Sequence, residues 1–364
     1  MNADAQGHQL LAERVERVGE LICDMLATPF VAKRQATARM KRVVATGIGS
    51  SEAQARYFVW LLNSYTDIPA RFVPLASFVE PFGSTAADQT LAVFSQGLSS
   101  NASFALSQVR SFAHSVIFTS ATEAGQRAAG KPDRADLLAH LEKTGAEIVP
   151  FPVEDEYTIL IRIIGPACGF VAAHQFVEAL PGSRLAPVAP QLNTLLALTR
   201  SPVAAALASD LESHSTGWKT GGVVLLPAPA AEFSHNLACK FVEGLFWSAP
   251  SLVEPMQLAH GAFQQLAAAP KPVWIFQGPS AFDTELARRA VEMLGSIGIK
   301  PLIIPFPFSP TLSPIALELL LNSVFAGLIR RFGIDQVNWP GKGLDGPIYH
   351  LAGASATPGP LATS

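Results

Sequence analysis

Residues 221–263 read GGVVLLPAPAAEFSHNLACKFVEGLFWSAPSLVEPMQLAHGAF. The apolar run at 223–226 predicts a buried strand. A proline-rich turn follows, and helical spacing from 232 to 247 predicts a helix that carries Lys240 and Glu243. Residues 252–256 predict a second strand, and His260-Gly261 comes just after it. Strand, helix and strand in this order form the repeating unit of a parallel sheet. The reading puts a lysine, a carboxylate and an imidazole near the carboxyl end of a parallel-type strand, where open α/β sheets bind ligands.

The same alternation extends outward in both directions. Upstream, strands are predicted at 42–49, 71–78, 89–96, 115–119 and 147–153. Helices are predicted at 50–63, from 101 to 112, at 136–143 and, as one long apolar segment, at 159–180. Pro166 should kink or restart that last helix. Downstream come a helix at 260–268, strands at 273–277 and 302–306, and helices at 283–298 and 314–333. The fold class is therefore α/β, with two doubly wound parallel-sheet subdomains. The expected division is N-terminal helices at 1–40, a first α/β domain at 41–185, a helical connector at 186–218, a second α/β domain at 219–335 and an irregular tail at 336–364.

Composition narrows the function classes. The chain has 364 residues, 49% hydrophobic and 15% charged, which favours large buried sheets over disorder. A net charge of -3 gives no basic footprint for nucleic acid. Cys23, Cys168 and Cys239 are far apart and form no disulfide framework or metal spacing, so a reducing, cytoplasmic setting is expected. The polar, amphipathic start is not a secretory signal. The most membrane-like stretch, 309–329, contains Glu318 and Asn322 and is read as a buried core helix, not a span.

Several short motifs carry a resemblance to the double sugar-isomerase (SIS) domain family. This family includes the isomerase half of glucosamine-6-phosphate synthase, phosphosugar isomerases and deglycases. TGIGSS, 46–51, resembles the family's strand-to-helix turn, with Thr46, Gly49, Ser50 and Ser51 as candidate ligand contacts. FSQGLSSNAS, 94–103, is similar to the family's SQSGET phosphate loop. Ser95 and Gln96 are kept, Ser100 stands at the phosphate-binding threonine, Gly97 replaces a serine and Ser99 replaces the glutamate. ACKFVEG, 238–244, resembles the helix that bears the family's lysine and catalytic glutamate, here Lys240 and Glu243. QLAHG then aligns with the family's histidine motif, giving His260, with one inserted residue. In the tail, Pro340 and Lys342 are counterparts of a stretch whose lysine closes the site. Glu156 matches a family glutamate, but the hydroxyl-rich run after it has become apolar around Arg162.

The resemblance implies a homodimeric, cofactor-independent and metal-free enzyme. It would isomerise or deglycate an anionic sugar-like substrate, with Glu243 as base and His260 serving the neighbouring subunit's site. Arg162 would clamp a carboxylate, sulfonate or phosphate. Plainer readings stand beside these. Lys240 and Glu243 could be an i,i+3 surface pair. The serines could be helix caps. Arg162 could pair with Glu154 or Glu156, and Lys342 could be an ordinary tail residue. A sugar-binding module without turnover is the rival function.

Overall fold

Five short runs pair side by side in parallel to make the first sheet: β1 (Val43–Thr46), β2 (Ala70–Phe72), β3 (Thr90–Phe94), β4 (His114–Thr119) and β5 (Glu147–Pro150). Their order is β2-β1-β3-β4-β5. The three inner strands are buried at every position, as expected of a parallel sheet covered on both faces. Four more strands form a second parallel sheet, β7 (Ser251–Val253), β6 (Val223–Leu225), β8 (Val273–Gln277) and β9 (Leu302–Pro305), in that spatial order. The structure, a computed structural model, describes residues 3–28, 30, 40–152 and 158–351. Glu156 and the tail beyond residue 351 lie outside the described residues.

The chain divides into two compact units. One comprises residues 30–153, 176–185 and 338–364 and holds β1–β5. The other comprises residues 1–29, 154–175 and 186–337 and holds β6–β9.

In the β1–β5 unit, alternate residues of the strands feed opposite faces. Val44, Leu91, Val93 and Ile117 pack with Leu138 and Leu141 on one face. Phe94 and Phe118 stack at 4.2 Å on the other, and Phe58 and Phe176 meet them edge-on or tilted. In the β6–β9 unit, Val223, Leu225, Val273 and Ile275 pack against Ala287, Ala290 and Leu294. The opposite face carries Trp274 against Trp218 and Phe241, and Phe241 continues to Phe325. Helix Ser313–Arg331 is long and apolar enough to cross a membrane, but it is largely buried in the core of this unit, as its isolated Glu318 and Asn322 foretold.

Several elements depart from the sequence reading. The long helix begins only at Ile164 and runs to Glu178. Pro166 therefore lies in its first turn, where a missing N–H breaks no helical bond. The strand predicted at 71–78 stops at Phe72 before Pro74, and a 3₁₀ turn follows at Leu75–Phe78. The helix predicted from 101 to 112 is broken into turns. Ser103 and Ser107 donate their hydroxyls to the carbonyls of Ser100 and Phe104, which competes with helical bonding. The helix predicted at 232–247 is a 3₁₀ turn (Ala230–Phe233), an α-helical turn (His235–Cys239) and a π-helix (Lys240–Leu245).

Two polar side chains, one half-buried and one fully buried, support the β6–β9 unit. Asp210 accepts from the indole N–H groups of Trp218 and Trp274 with one oxygen, at 3.0 and 2.7 Å, and its other oxygen lies 2.9 Å from His214 Nδ1. Asp210→Ala should destabilise the fold by about 2–4 kcal/mol, because two buried donors lose their acceptor. Asp210→Asn should cost less, as measured by urea unfolding followed through tryptophan fluorescence. His174 is fully buried, and its Nε2 donates to the Ala186 carbonyl at 2.8 Å. Burial pulls its pKa down from 6.5 to about 4. The unfolded chain then binds the extra proton between those values, so stability should fall as pH drops through that window, by roughly 3 kcal/mol in all. In His174→Gln, this part of the acid-side loss should disappear from unfolding curves compared between about pH 7 and pH 4.5.

Candidate functional site

In the β1–β5 unit, β1 and β3 are adjacent while their chain connections leave in opposite directions. Their carboxyl ends therefore flank a topological switch point. The turn after β1 needs its glycines. A Cβ on Gly47 would sit 2.5 Å from the Ser51 carbonyl, and Gly49 has φ +61°. Helix Ser50–Tyr65 starts directly after Gly49 with no side-chain cap, which leaves N–H groups at its first turn facing the turn. Ser51 is buried and Ser50 is half-buried. The hydroxyl of Thr46 is fully buried and has no hydrogen-bond partner among the described residues.

The loop after β3 is bonded internally. Ser95 N–H donates to Phe118 O at 3.0 Å, and Ser95 Oγ accepts from Ser99 N–H at 3.3 Å. The Gln96 carbonyl accepts from Ser120 N–H, Thr119 Oγ1 and Ser120 Oγ. The Gly97 carbonyl accepts from Arg134 at 2.9 Å. Leu98 has φ +49°, unusual for a side-chain-bearing residue. Ser99 precedes the 3₁₀ turn Ser100–Ala102 without a side-chain capping bond. Ser100 Oγ donates to Tyr349 O at 2.8 Å, and Asn101 Nδ2 donates to Ile348 O at 2.8 Å. Lys342 is exposed, with its ammonium 4.4 Å from the centre of the Trp339 ring.

In the β6–β9 unit, Lys240 is 1% exposed. Its ammonium lies 3.2 Å from Glu318 Oε2 and donates to the Arg162 carbonyl. Asn236 donates to the other Glu318 oxygen. Lys240 therefore faces a buried carboxylate on helix Ser313–Arg331 and is no member of an i,i+3 surface pair. Glu243 is half-buried on the π-helix three residues on. Wide π turns leave carbonyls poorly matched to helical donors and recur at functional sites. Here Gln336 Nε2 donates to the carbonyls of both Glu243 and Gly244, at 3.0 and 2.9 Å. Its Oε1 accepts from Ile161 N–H at 3.0 Å. A Cβ on Gly244 would come 2.9 Å from Ile161 Cδ1, so the turn lies close against the irregular segment that leads to Arg162. Arg162 itself is half-buried. Burial first, then the Glu243 charge, push the Cys239 thiol up to about 12, so it is no thiolate nucleophile near neutrality.

The position of Glu243 corrects the sequence reading. A helix that follows a parallel strand runs back along it, so its end returns to the strand's amino end. Ser248 N–H donates to Lys219 O and Ser251 N–H to Gly222 O, both ahead of β6. Glu243 thus lies toward the amino end of the second sheet. His260 is exposed after the turn that follows the carboxyl end of β7, and Gly261 next to it takes φ +101°. Within one unit, β7 lies between Glu243 and His260 in the chain. Four further residues enter the description: Glu318, Gln336, Arg134 and Asn101. An isolated carboxylate in an apolar helix signals the first. No sequence pattern ties the other three to their partners.

No protein-family model and no curated protein sequence matches the chain. Solved structures do. The C-terminal domain of glucosamine-fructose-6-phosphate aminotransferase from Francisella tularensis superposes with a TM-score of 0.67 at 11% identity, over 88% of this chain and 96% of that one. Tagatose-6-phosphate ketose/aldose isomerase from Escherichia coli gives a TM-score of 0.61 at 13% identity, over 91% and 95% of the two chains. Glucosamine-6-phosphate deaminase from Thermotoga maritima gives 0.60 at 14%, again over 91% and 95%. Two parallel α/β sheets with β2-β1-β3-β4-β5 and β7-β6-β8-β9 order, covered almost end to end by these structures, give the chain the double SIS fold.

Proposed function

We propose that the chain is an aldose–ketose isomerase, or a related amino-sugar isomerase or deglycase, acting on an anionic sugar-like substrate without a cofactor. The observation that carries this reading is Glu243 on its π-turn. The turn is braced on one side by Gln336 and anchored on the other by the buried Lys240–Glu318 pair. A binding module has no need of a carboxylate held in this way. As base, Glu243 takes the proton from the carbon next to the carbonyl and returns it to the neighbouring carbon of an enediol or enediolamine. Lys240 acts as a positioning residue for the turn. Arg162, whose backbone is bonded to Lys240, receives the substrate's anionic group. In the β1–β5 unit, Thr46, Gly49, Ser50, Ser51, Ser95, Gln96 and Ser99 hold sugar-derived hydroxyls. Glu156 and Lys342 belong to the same proposal through the family resemblance. His260 moves protons during ring opening and does so across a homodimer. The enzyme works in the cytoplasm.

Substrates are found by thermal-shift screening of sugar phosphates, sugar acids and sugar–amine conjugates, since a ligand that binds the native state raises its apparent stability. On a substrate so found, Glu243→Gln should keep binding and lower turnover by about a hundredfold to ten-thousandfold. Turnover at the wild-type rate would remove Glu243 as the base, whereas a wild type that binds these compounds and turns none of them over would leave the sugar-binding module as the better reading. Mixing Glu243→Gln and His260→Ala chains tests the shared site. Each is inactive alone, and random reassortment should restore about a quarter of wild-type activity, because half of the dimers are mixed and each contains one intact site. No recovery after subunit exchange would place the two residues' actions within single chains.

A further inference from the structure

The SQSGET-like loop in the β1–β5 unit has an unusual hydrogen-bond economy. Five side chains at or beside it, Arg134, Ser100, Asn101, Thr119 and Ser120, each donate to a carbonyl of the same unit. Arg134 serves Gly97 O, Ser100 serves Tyr349 O, and Asn101 serves Ile348 O. Thr119 and Ser120 both serve Gln96 O. The Ser100 hydroxyl has one proton, and it goes to Tyr349. The 3.2 Å contact of Ser100 Oγ with His350 Nδ1 is then an N–H from the imidazole to the hydroxyl oxygen, so the same hydroxyl is engaged twice by the C-terminal segment. The segment itself has little else to hold it. Helix Gly346–Tyr349 is a single turn, and Leu344 and Ile348 are 80% and 77% exposed. Apolar burial does not explain its position, whereas the hydrogen bonds to Ser100 and Asn101 do.

We propose that residues 346–350 are a built-in occupant of this loop, and that the full chain therefore takes a sugar derivative with no phosphate at that position. This rests on the reading that the loop belongs to the substrate site. A phosphate dianion needs several unspent donors and positive charge. The loop has Gly97 where a hydroxyl would be, and the Arg134 guanidinium is bonded to that glycine's carbonyl. The main-chain carbonyls of Ile348 and Tyr349 are neutral acceptors, and they fill the two side-chain donors of Ser100 and Asn101. The substrate's anionic group is then read elsewhere than at this loop.

The test uses inorganic phosphate as probe, with binding read by calorimetry and by 31P line broadening. It compares the full chain with an equal-length variant in which residues 344–351 are replaced by a Gly-Ser repeat. The wild type should show no phosphate binding, and the repeat variant should bind in the millimolar range. Adding Ser100→Ala and Asn101→Ala to the repeat variant should weaken that binding by about tenfold or more. Equal, Ser100-dependent binding by the wild type and the repeat variant would overturn the proposal. So would absence of binding in both, since the segment would then exclude nothing. Thermal unfolding of each variant confirms that the compared chains are folded. The outcome is separable from the isomerase reading: Glu243-dependent turnover of a phosphosugar by the full chain would uphold that reading and defeat this one.

Discussion

A buried ammonium can stay charged only where the interior supplies a counter-charge and acceptors for its protons. Lys240 meets both conditions through Glu318 and the Arg162 carbonyl. Glu318 in turn divides its two oxygens between Lys240 and Asn236. This network joins three pieces of chain distant in sequence: the π-turn, helix Ser313–Arg331 and the segment through Arg162. Removing either charge would leave the other buried and alone, which typically costs about 3–5 kcal/mol. The geometry of Glu243 depends on that closure, because it stands on the turn whose first residue is Lys240. Gln336 completes the arrangement from the other side by satisfying carbonyls that the π geometry leaves open.

The two units handle polarity differently around these loops. In the β6–β9 unit, charge is buried and paired around one turn. In the β1–β5 unit, the loop after β3 is neutral at its surface and satisfied by main-chain carbonyls, some of them from the C-terminal segment. The turn after β1 differs again. Its helix start has no side-chain cap, and the Thr46 hydroxyl is buried without a hydrogen-bond partner among the described residues. The loop at 95–101, by contrast, gives the side-chain donors of Ser100 and Asn101 to carbonyls of the C-terminal segment.

Much of this was legible in sequence, for identifiable reasons. Inner strands such as TLAVF and HSVIFT are continuous apolar runs, and only a sheet covered on both faces produces them. Their alternation with helical segments fixed the parallel class. The short motifs around Thr46, Ser95 and Glu243 pointed to the SIS fold. Serine-rich and proline-interrupted segments were misread as regular elements, because side-chain bonds to local carbonyls leave no trace in hydrophobic periodicity. The partner of Lys240 was half visible. Glu318 stands out as the carboxylate that argues against a membrane span, and Lys240 as the lysine three residues before Glu243. Two charges in apolar helices call for each other. The i,i+3 spacing to Glu243 hid that pairing, because local proximity is the easier inference. Gln336, Arg134 and Asn101 act through contacts with main-chain groups, which no residue pattern announces.

Chain direction also limits what one copy can do. β7 spans three residues, roughly 10 Å of extended chain. Glu243 comes before it, on the side where the preceding helix has returned to the amino end of the sheet. His260 comes after it, beyond a further turn. A proton relay through both residues needs them within hydrogen-bond reach of one substrate. A single β6–β9 unit directs them to opposite ends of one strand. A twofold partner removes that difficulty, because an isologous interface brings a residue of one copy to a different residue of the other. The exposed setting of His260, with Gly261 freeing the backbone beside it, suits a side chain used outside its own unit. The homodimer in the proposed mechanism thus answers a constraint of parallel-sheet topology as well as a family resemblance.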